Sequence, residues 1–481
     1  MRWRQVIYIV GILLVFVGLF MIIPMAVGLF YKESGAVKAL VLSMTITIAV
    51  GAVMYAFTHK KGETLTHREG MAIVAFGWAG AGLFGALPFY FGDVFPLYCD
   101  ATFESVSGFT TTGSSLLSDI EAVPKALLFW RSFIQWLGGM GIIVLSLAIL
   151  PFLGVGGMQL YKAEVPSPVP DKLTPKVRDT AMLLWKVYAL FTVLECIMLV
   201  FGGMGLFDAV NHAMTTLPTG GFSTMNTSVG QFGSAYFDWV IIFFMLLAGV
   251  NFALHYQLLR GNPKVFWKDP ECRVFIILAV VMTFIVTFDI YSLFDSFLEA
   301  LRYGAFQVVS ILTTTGYATY DYEKWSAFSQ LLLVVLMFVG GSAGSTGGGI
   351  KVLRVILLFK YCYRELFRMV HPRAVAPVKL GGKVVPDDIH TSICGFFILF
   401  MGLSVISTLI LTLLGVDIIT SIGAVAATMG NIGPGIGGVG PMDNFTCIPY
   451  VGKWLLIMCM LLGRLEIYTI IILFIPEFWR K

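Results

Sequence analysis

Apolar runs of about 20 residues recur along the whole chain, separated by short polar stretches, and each is long enough to cross a hydrocarbon core of roughly 30 Å. The pattern predicts helices over about 6–30, 37–58, 71–92, 126–153, 180–204, 236–258, 274–293, 326–360, 391–416 and 452–475. The first run is too long for a signal-peptide core and lacks a small-residue cleavage site, so it reads as a retained helix. From residue 71 onward, each pair of long helices encloses a segment of about ten residues, which spans only about 15 Å as a helix. Such segments must dip in and return on the same side. They end in small polar runs: "GFTTTGSS", "TLPTGGFS", "LTTTGYAT" and "MGNIGPGI".

Anchored at Gly113, Gly220, Gly316 and Gly433, these runs define a repeat of roughly 100 residues. Each repeat reads long helix, short segment, glycine, second long helix. The second helices align as well. Each has a tryptophan near its outer start (Trp130, Trp239, Trp325, Trp454), where an indole suits the membrane interface. Each then has a glycine further in (Gly139, Gly249, Gly341, Gly463). Two crossings per repeat preserve orientation, so the repeats are parallel rather than inverted. The expected fold is an all-α polytopic membrane protein with ten crossings. It has two N-terminal transmembrane helices (1–69) and four parallel helix–pore-loop–helix repeats around a pseudo-fourfold pore (70–160, 161–262, 263–375 and 376–481).

Composition agrees: 58% of residues are hydrophobic and 12% charged, half the charge of an ordinary soluble domain. Basic residues cluster at 59–69, 161–179, 260–273, 351–383 and both termini, while the alternate loops lean acidic. The positive-inside rule makes the basic set, and both termini, cytoplasmic. The cysteines show no metal-ligand spacing, and nothing in their spacing supports pairing Cys99 with Cys447. There is no His/Asp metal cluster, nucleophile motif or intramembrane acid pair, which argues against an enzyme; nothing points to nucleic acid.

Irregular backbone inside a membrane survives only where it is buried in protein or lines water. Four such segments with shared order suggest a pore. Glycine turns carbonyls freely towards an axis, and carbonyl oxygens can replace the hydration shell of a monovalent cation. The candidate ion-binding residues are Thr111, Thr112, Gly113, Thr219, Gly220, Thr314, Thr315, Gly316, Asn431, Ile432 and Gly433, whose polar side chains either add ligands or brace the loop. Nine residues before each glycine lie Glu104, Asn211, Gln307 and Ala424, placed either to brace the turn or to face water. In the third repeat alone, "GGSAGSTGGGIK" interrupts the second helix. A phosphate loop does not fit, because Ile350 intervenes before Lys351. A small-residue packing face is one reading, and a flexible barrier under the turns is the favoured one: Gly340, Gly341, Ser342, Gly344, Ser345, Thr346, Gly347, Gly348 and Gly349. Arg464 lies deep in the last helix, two residues from Glu466 and so on a different face. A charge at that depth faces a cavity or a partner, and could hold the carbonyls of the barrier.

These four runs, the glycine-rich break and the deep arginine resemble the Trk/Ktr/HKT superfamily of cation transporters along essentially the whole chain. The resemblance implies one pore per chain, a homodimer in the bilayer of a bacterial inner membrane, and filter glycines at Gly113, Gly220, Gly316 and Gly433. It also implies a gating loop over Gly340–Gly349 and a pore-facing arginine at Arg464. Glycine at the first filter position is the version associated with potassium rather than sodium. Members of the Trk branch work with a cytosolic NAD- or ATP-binding regulatory subunit of the TrkA type. This chain has no dinucleotide fingerprint, so a nucleotide response would come from that other chain. Potassium is the implied transported ion, with no cofactor; a sodium- or proton-coupled symporter or a non-conducting subunit are the alternatives.

Overall fold

The structure is a computed structural model that describes residues 1–58, 65–141 and 177–480. The expected basic loop at 161–179 and the end of the helix expected over 126–153 lie largely outside these residues. Among the described residues, six helices are long and apolar enough to cross a membrane, or up to eight if two sharply bent pairs each count as one span. The ten expected crossings therefore remain an expectation.

The N-terminal helices Trp3–Phe20, Ile22–Phe30 and Ser34–Thr58 form a hairpin. Gly11 and Gly51 face each other so closely that a methyl on either would strike the other's carbonyl oxygen. This is the small-residue contact by which helices associate without hydrophobic drive. The hairpin lies on helix His67–Gly85, where Leu13 touches Gly77 and Leu14 touches Gly80. A capping box between Thr66 and Glu69 starts that helix. Arg2 pairs with Glu69 at 2.7 Å, Trp3 stacks on Trp479 at 5.0 Å, and the Arg68 guanidinium donates to the Arg480 carbonyl at 2.8 Å. The two ends thus lie side by side.

The remaining chain runs through four stretches with a common element order. Long helices come first: His67–Gly85 continued by Leu87–Phe91, then Val177–Phe201, Pro270–Ile290 and Asp387–Leu413. Half-helices Tyr98–Phe109, Leu206–Thr216, Phe297–Leu312 and Ile418–Met429 follow. Second helices then begin at Lys125, Ala235, Ala327 and Tyr450. A two-residue antiparallel pair, Lys379–Leu380 with Lys383–Val384, is an addition to the all-α expectation.

Two expectations need correction. The second helices were expected to break only in the third stretch. Instead, Lys125–Gly139 ends at a turn with Gly141 at φ +74°. Ala235–Gly249 bends by 103° into Phe252–Leu259, and Tyr450–Arg464 bends by 114° into Tyr468–Phe474. The cause is the glycine at each break. Gly138 and Gly463 lie against the carbonyls of Phe109 and Met429, where a side chain would collide, and Gly249 lies against Thr313. The second helix approaches the half-helix end so closely there that it must turn away below. The tryptophans are also not a common interface belt. Trp130 is fully buried and donates to the Gly85 carbonyl at 3.0 Å, and Trp325 is buried as well; Trp239 is 45% exposed. Cys99 is buried, Cys447 is exposed, and both are free.

Candidate ion-conducting site

Each half-helix ends in the same backbone figure. A non-glycine residue takes a left-handed conformation, and two residues later a glycine does so too. The pairs are Thr111 (φ +53°) with Gly113, Thr219 (+57°) with Gly221, Thr314 (+61°) with Gly316, and Asn431 (+54°) with Gly433. In the second turn the left-handed glycine is therefore Gly221, one residue beyond Gly220. Two adjacent glycines in "PTGGF" leave the register open to sequence alignment; backbone conformation decides it.

The turns close on one another in order. A methyl on Gly113 would strike the carbonyl oxygen of Gly220, one on Gly221 that of Thr315, and one on Gly316 that of Ile432; on Gly433 it would lie 3.0 Å from that of Thr112. The carbonyls of Thr112, Gly220, Thr315 and Ile432 therefore occupy one equivalent position in a closed ring. Gly220 belongs to the ring as a carbonyl, not as the left-handed glycine. A cavity of about 120 Å³ opens above the ring and touches Gly113, Gly221, Gly316 and Gly433 together. The half-helix carboxyl ends, with partial negative charge, point to the same place.

The threonines brace. Thr112 Oγ1 meets Thr110 Oγ1 at 2.8 Å and accepts the Asn431 amide at 2.8 Å. Thr315 Oγ1 meets Thr313 Oγ1 at 2.8 Å, Thr219 Oγ1 donates to the Pro218 carbonyl at 2.5 Å, and Thr314 Oγ1 accepts the Gly348 N–H at 2.7 Å. Behind the ring, Glu104 accepts Ser115 Oγ at 2.9 Å and the Leu116 N–H at 3.0 Å. Gln307 donates to the Tyr320 carbonyl at 3.1 Å. In the corrected register the second brace is His212, whose Nε2 meets Ser223 Oγ at 3.0 Å. Asn211 only donates within its own helix, to Phe207. Ala424 has no polar group to offer.

Sequence reasoning missed Arg131. Its guanidinium pairs with Glu104 at 2.6 Å with both side chains buried. It also donates to the Ser223 carbonyl at 2.9 Å and lies 3.5 Å from the Phe222 ring. A buried carboxylate requires such a cation, so Glu104 was itself the signal.

Below the ring, Gly340–Gly349 crosses from the third stretch under its neighbours. Thr346 Oγ1 donates to the Leu217 carbonyl at 2.8 Å, and a methyl on Gly348 would strike the Gly430 carbonyl and approach Asn431. Ser342 N–H donates to the Gly249 carbonyl at 2.9 Å, and the Phe252 N–H to that of Gly344 at 3.1 Å. Gly341 and Ser345 lie in contact, and Ser345 Oγ donates to the Ser342 carbonyl at 2.6 Å. Gly347 lies beside the Thr313 carbonyl and accepts Lys351 Nζ. Arg464 donates to the Thr346 carbonyl at 2.7 Å and to those of Gly138 and Gly139 at 2.8 and 3.1 Å. Glu466 pairs instead with Arg354.

Long apolar helices gathered around a closed ring of backbone carbonyls make a helical membrane transport protein. The family described as TrkH, cation transport protein, matches residues 36–481. The potassium uptake protein TrkH of the Trk system from Salmonella typhimurium is 44% identical over 100% of both chains. The Trk system protein TrkG from Escherichia coli is 38% identical over 99% of both. The crystal structure of the potassium transporter TrkH from Vibrio parahaemolyticus matches with a TM-score of 0.90 at 39% identity, covering 100% of both chains. The chain belongs to the TrkH family of cation transport proteins, transporters rather than enzymes.

Proposed function

We propose that this chain is a gated potassium-uptake pore of the bacterial inner membrane. The observation that carries the reading is the closed ring in which four equivalent carbonyls meet four left-handed glycines. Potassium sheds its water onto these carbonyls and moves inward, favoured by about 2.3 kcal/mol per 100 mV of inside-negative potential. The four turns act as one filter on ten crossings, with both termini cytoplasmic. Gly340–Gly349 is the gate, held shut by Arg464 and Thr346. The relatives are named as members of a Trk system, which supports reading this chain as one component of it, dimeric and controlled by a cytosolic NAD- or ATP-binding subunit.

The test is flux through purified protein in liposomes, with potassium and sodium compared and with ion gradients imposed and removed. Selective, passive potassium flux is expected. Dependence on a sodium or proton gradient would make the chain a symporter, and no cation flux with or without the regulatory subunit would end the pore reading. Gly316→Ser forces a side chain at φ +80° into the Ile432 carbonyl. It should lower the potassium-to-sodium ratio at least tenfold, a change of about 1.4 kcal/mol.

A further inference from the structure

The residue after each left-handed glycine reaches back to the preceding member of the ring. Ser114 Oγ donates to the Gly433 carbonyl at 2.8 Å. Phe222 lies under Arg131 of the first stretch. The Tyr317 hydroxyl meets Thr215 Oγ1 at 2.5 Å and donates to the His212 carbonyl at 3.1 Å. The fourth such residue, Pro434, merely abuts Gly316. The brace inside the half-helix is also absent there, at Ala424. Both omissions fall on the fourth turn, at its seam with the third.

Two neighbouring side chains span that seam from the outer side. The Tyr322 hydroxyl donates to the Gly435 carbonyl at 2.6 Å. The Glu323 carboxylate accepts the Gly437 N–H at 2.6 Å, and its oxygens lie where a side chain on Gly440 would sit. Thr420 Oγ1, from the start of the fourth half-helix, takes the next N–H, Gly438, at 2.8 Å. Glu323 is half-buried, whereas Glu104, His212 and Gln307 are fully buried.

We propose that Glu323 is the positioning residue of the fourth turn, replacing the brace absent at Ala424, and that its access to external water makes cation selectivity fall as the outside becomes acid. This rests on the filter reading above. Burial raises the Glu323 carboxyl above the ordinary glutamate range, the Gly437 N–H draws it back, and Asp443 and Asp321 raise it further. Lys324 pairs with Asp321 at 3.4 Å and tempers that neighbour. A raised carboxyl takes up its proton at higher pH than a free one. Protonation exchanges a charge-assisted bond to Gly437 for a weaker neutral one, so the brace loosens as pH falls.

The experiment measures potassium and sodium flux through the full chain in liposomes at neutral and mildly acid external pH, for wild type, Glu323→Gln and Tyr322→Phe. Wild type should lose selectivity in acid. Glu323→Gln should show a ratio about three- to tenfold lower at neutral pH and no further loss in acid. Tyr322→Phe should lower the ratio but keep the acid dependence, which reports on the seam even if the glutamine variant is not recovered folded. A selective wild type whose ratio does not change with pH, or a Glu323→Gln variant with wild-type ratio and wild-type acid response, overturns the inference and leaves the filter standing. A wild type without selective flux removes the filter reading itself.

Discussion

The four turns of the ring and the glycine-rich loop beneath them are both irregular backbone inside a helical bundle, but they are fastened differently. The ring is tied at its seams by side chains: Arg131 to the Ser223 carbonyl, Tyr317 to Thr215, Ser114 to the Gly433 carbonyl. The loop is held by backbone bonds to Ala248, Gly249, Phe252 and Val352 and as much by side-chain ties through Glu271, Thr314, Thr346 and Arg464. The ring's ties join one turn directly to the next, which fixes their separation. The loop's ties run to the helix ends and turns around it, each exchangeable for water or another carbonyl.

The comparison breaks most visibly at Arg131. Arg131→Met strands Glu104 in a buried site, and should cost about 3–5 kcal/mol, measured as a lower unfolding temperature in detergent, with flux lost. Adding Glu104→Gln should recover much of that stability; no recovery would mean that the pair is not the restraint. Next in size is Arg464→Met. Removing its charged bonds to the loop and to Gly138, worth about 1.5–3 kcal/mol, should raise the potassium flux of the chain alone by tenfold or more. Unchanged flux would take Arg464 out of the closed state. The smallest effect belongs to Thr346→Val, which deletes the bond to Leu217. At about 1 kcal/mol it should raise the same flux roughly fivefold and leave the potassium-to-sodium ratio unchanged. A changed ratio would show that ring and loop are not separate devices.

Much of this was legible in the sequence because it rests on local rules. Helix positions follow from apolar run length, and the turns from glycine after small polar residues. The loop follows from glycines that no helix tolerates in such number. Arg464 was singled out because a deep charge demands partners, and it has them in Thr346, Gly138 and Gly139. What escaped depends on three-dimensional proximity. The register at Gly220 and Gly221 is set by which carbonyl of "PTGGF" meets Gly113. The breaks near Gly138, Gly249 and Gly463 arise where glycine touches a half-helix end, which neither partner's own sequence declares. The Glu104–Arg131 pair joins two helices separated by the turn itself.

The bond from Ser114 to Gly433 spans 319 residues, so the first turn is synthesised long before its closing partner exists. At roughly 5–20 residues per second, the wait is about 15–65 s. Meanwhile the nascent chain carries an unfinished polar edge. The Glu104–Arg131 pair is separated by 27 residues and neutralises the one carboxylate of that edge almost at once. The Thr110 and Thr112 hydroxyls satisfy one another, but the Thr112 carbonyl, which lies beside Gly433 in the finished ring, has no such early relief. Until the last half-helix arrives, that open edge has to be kept from lipid.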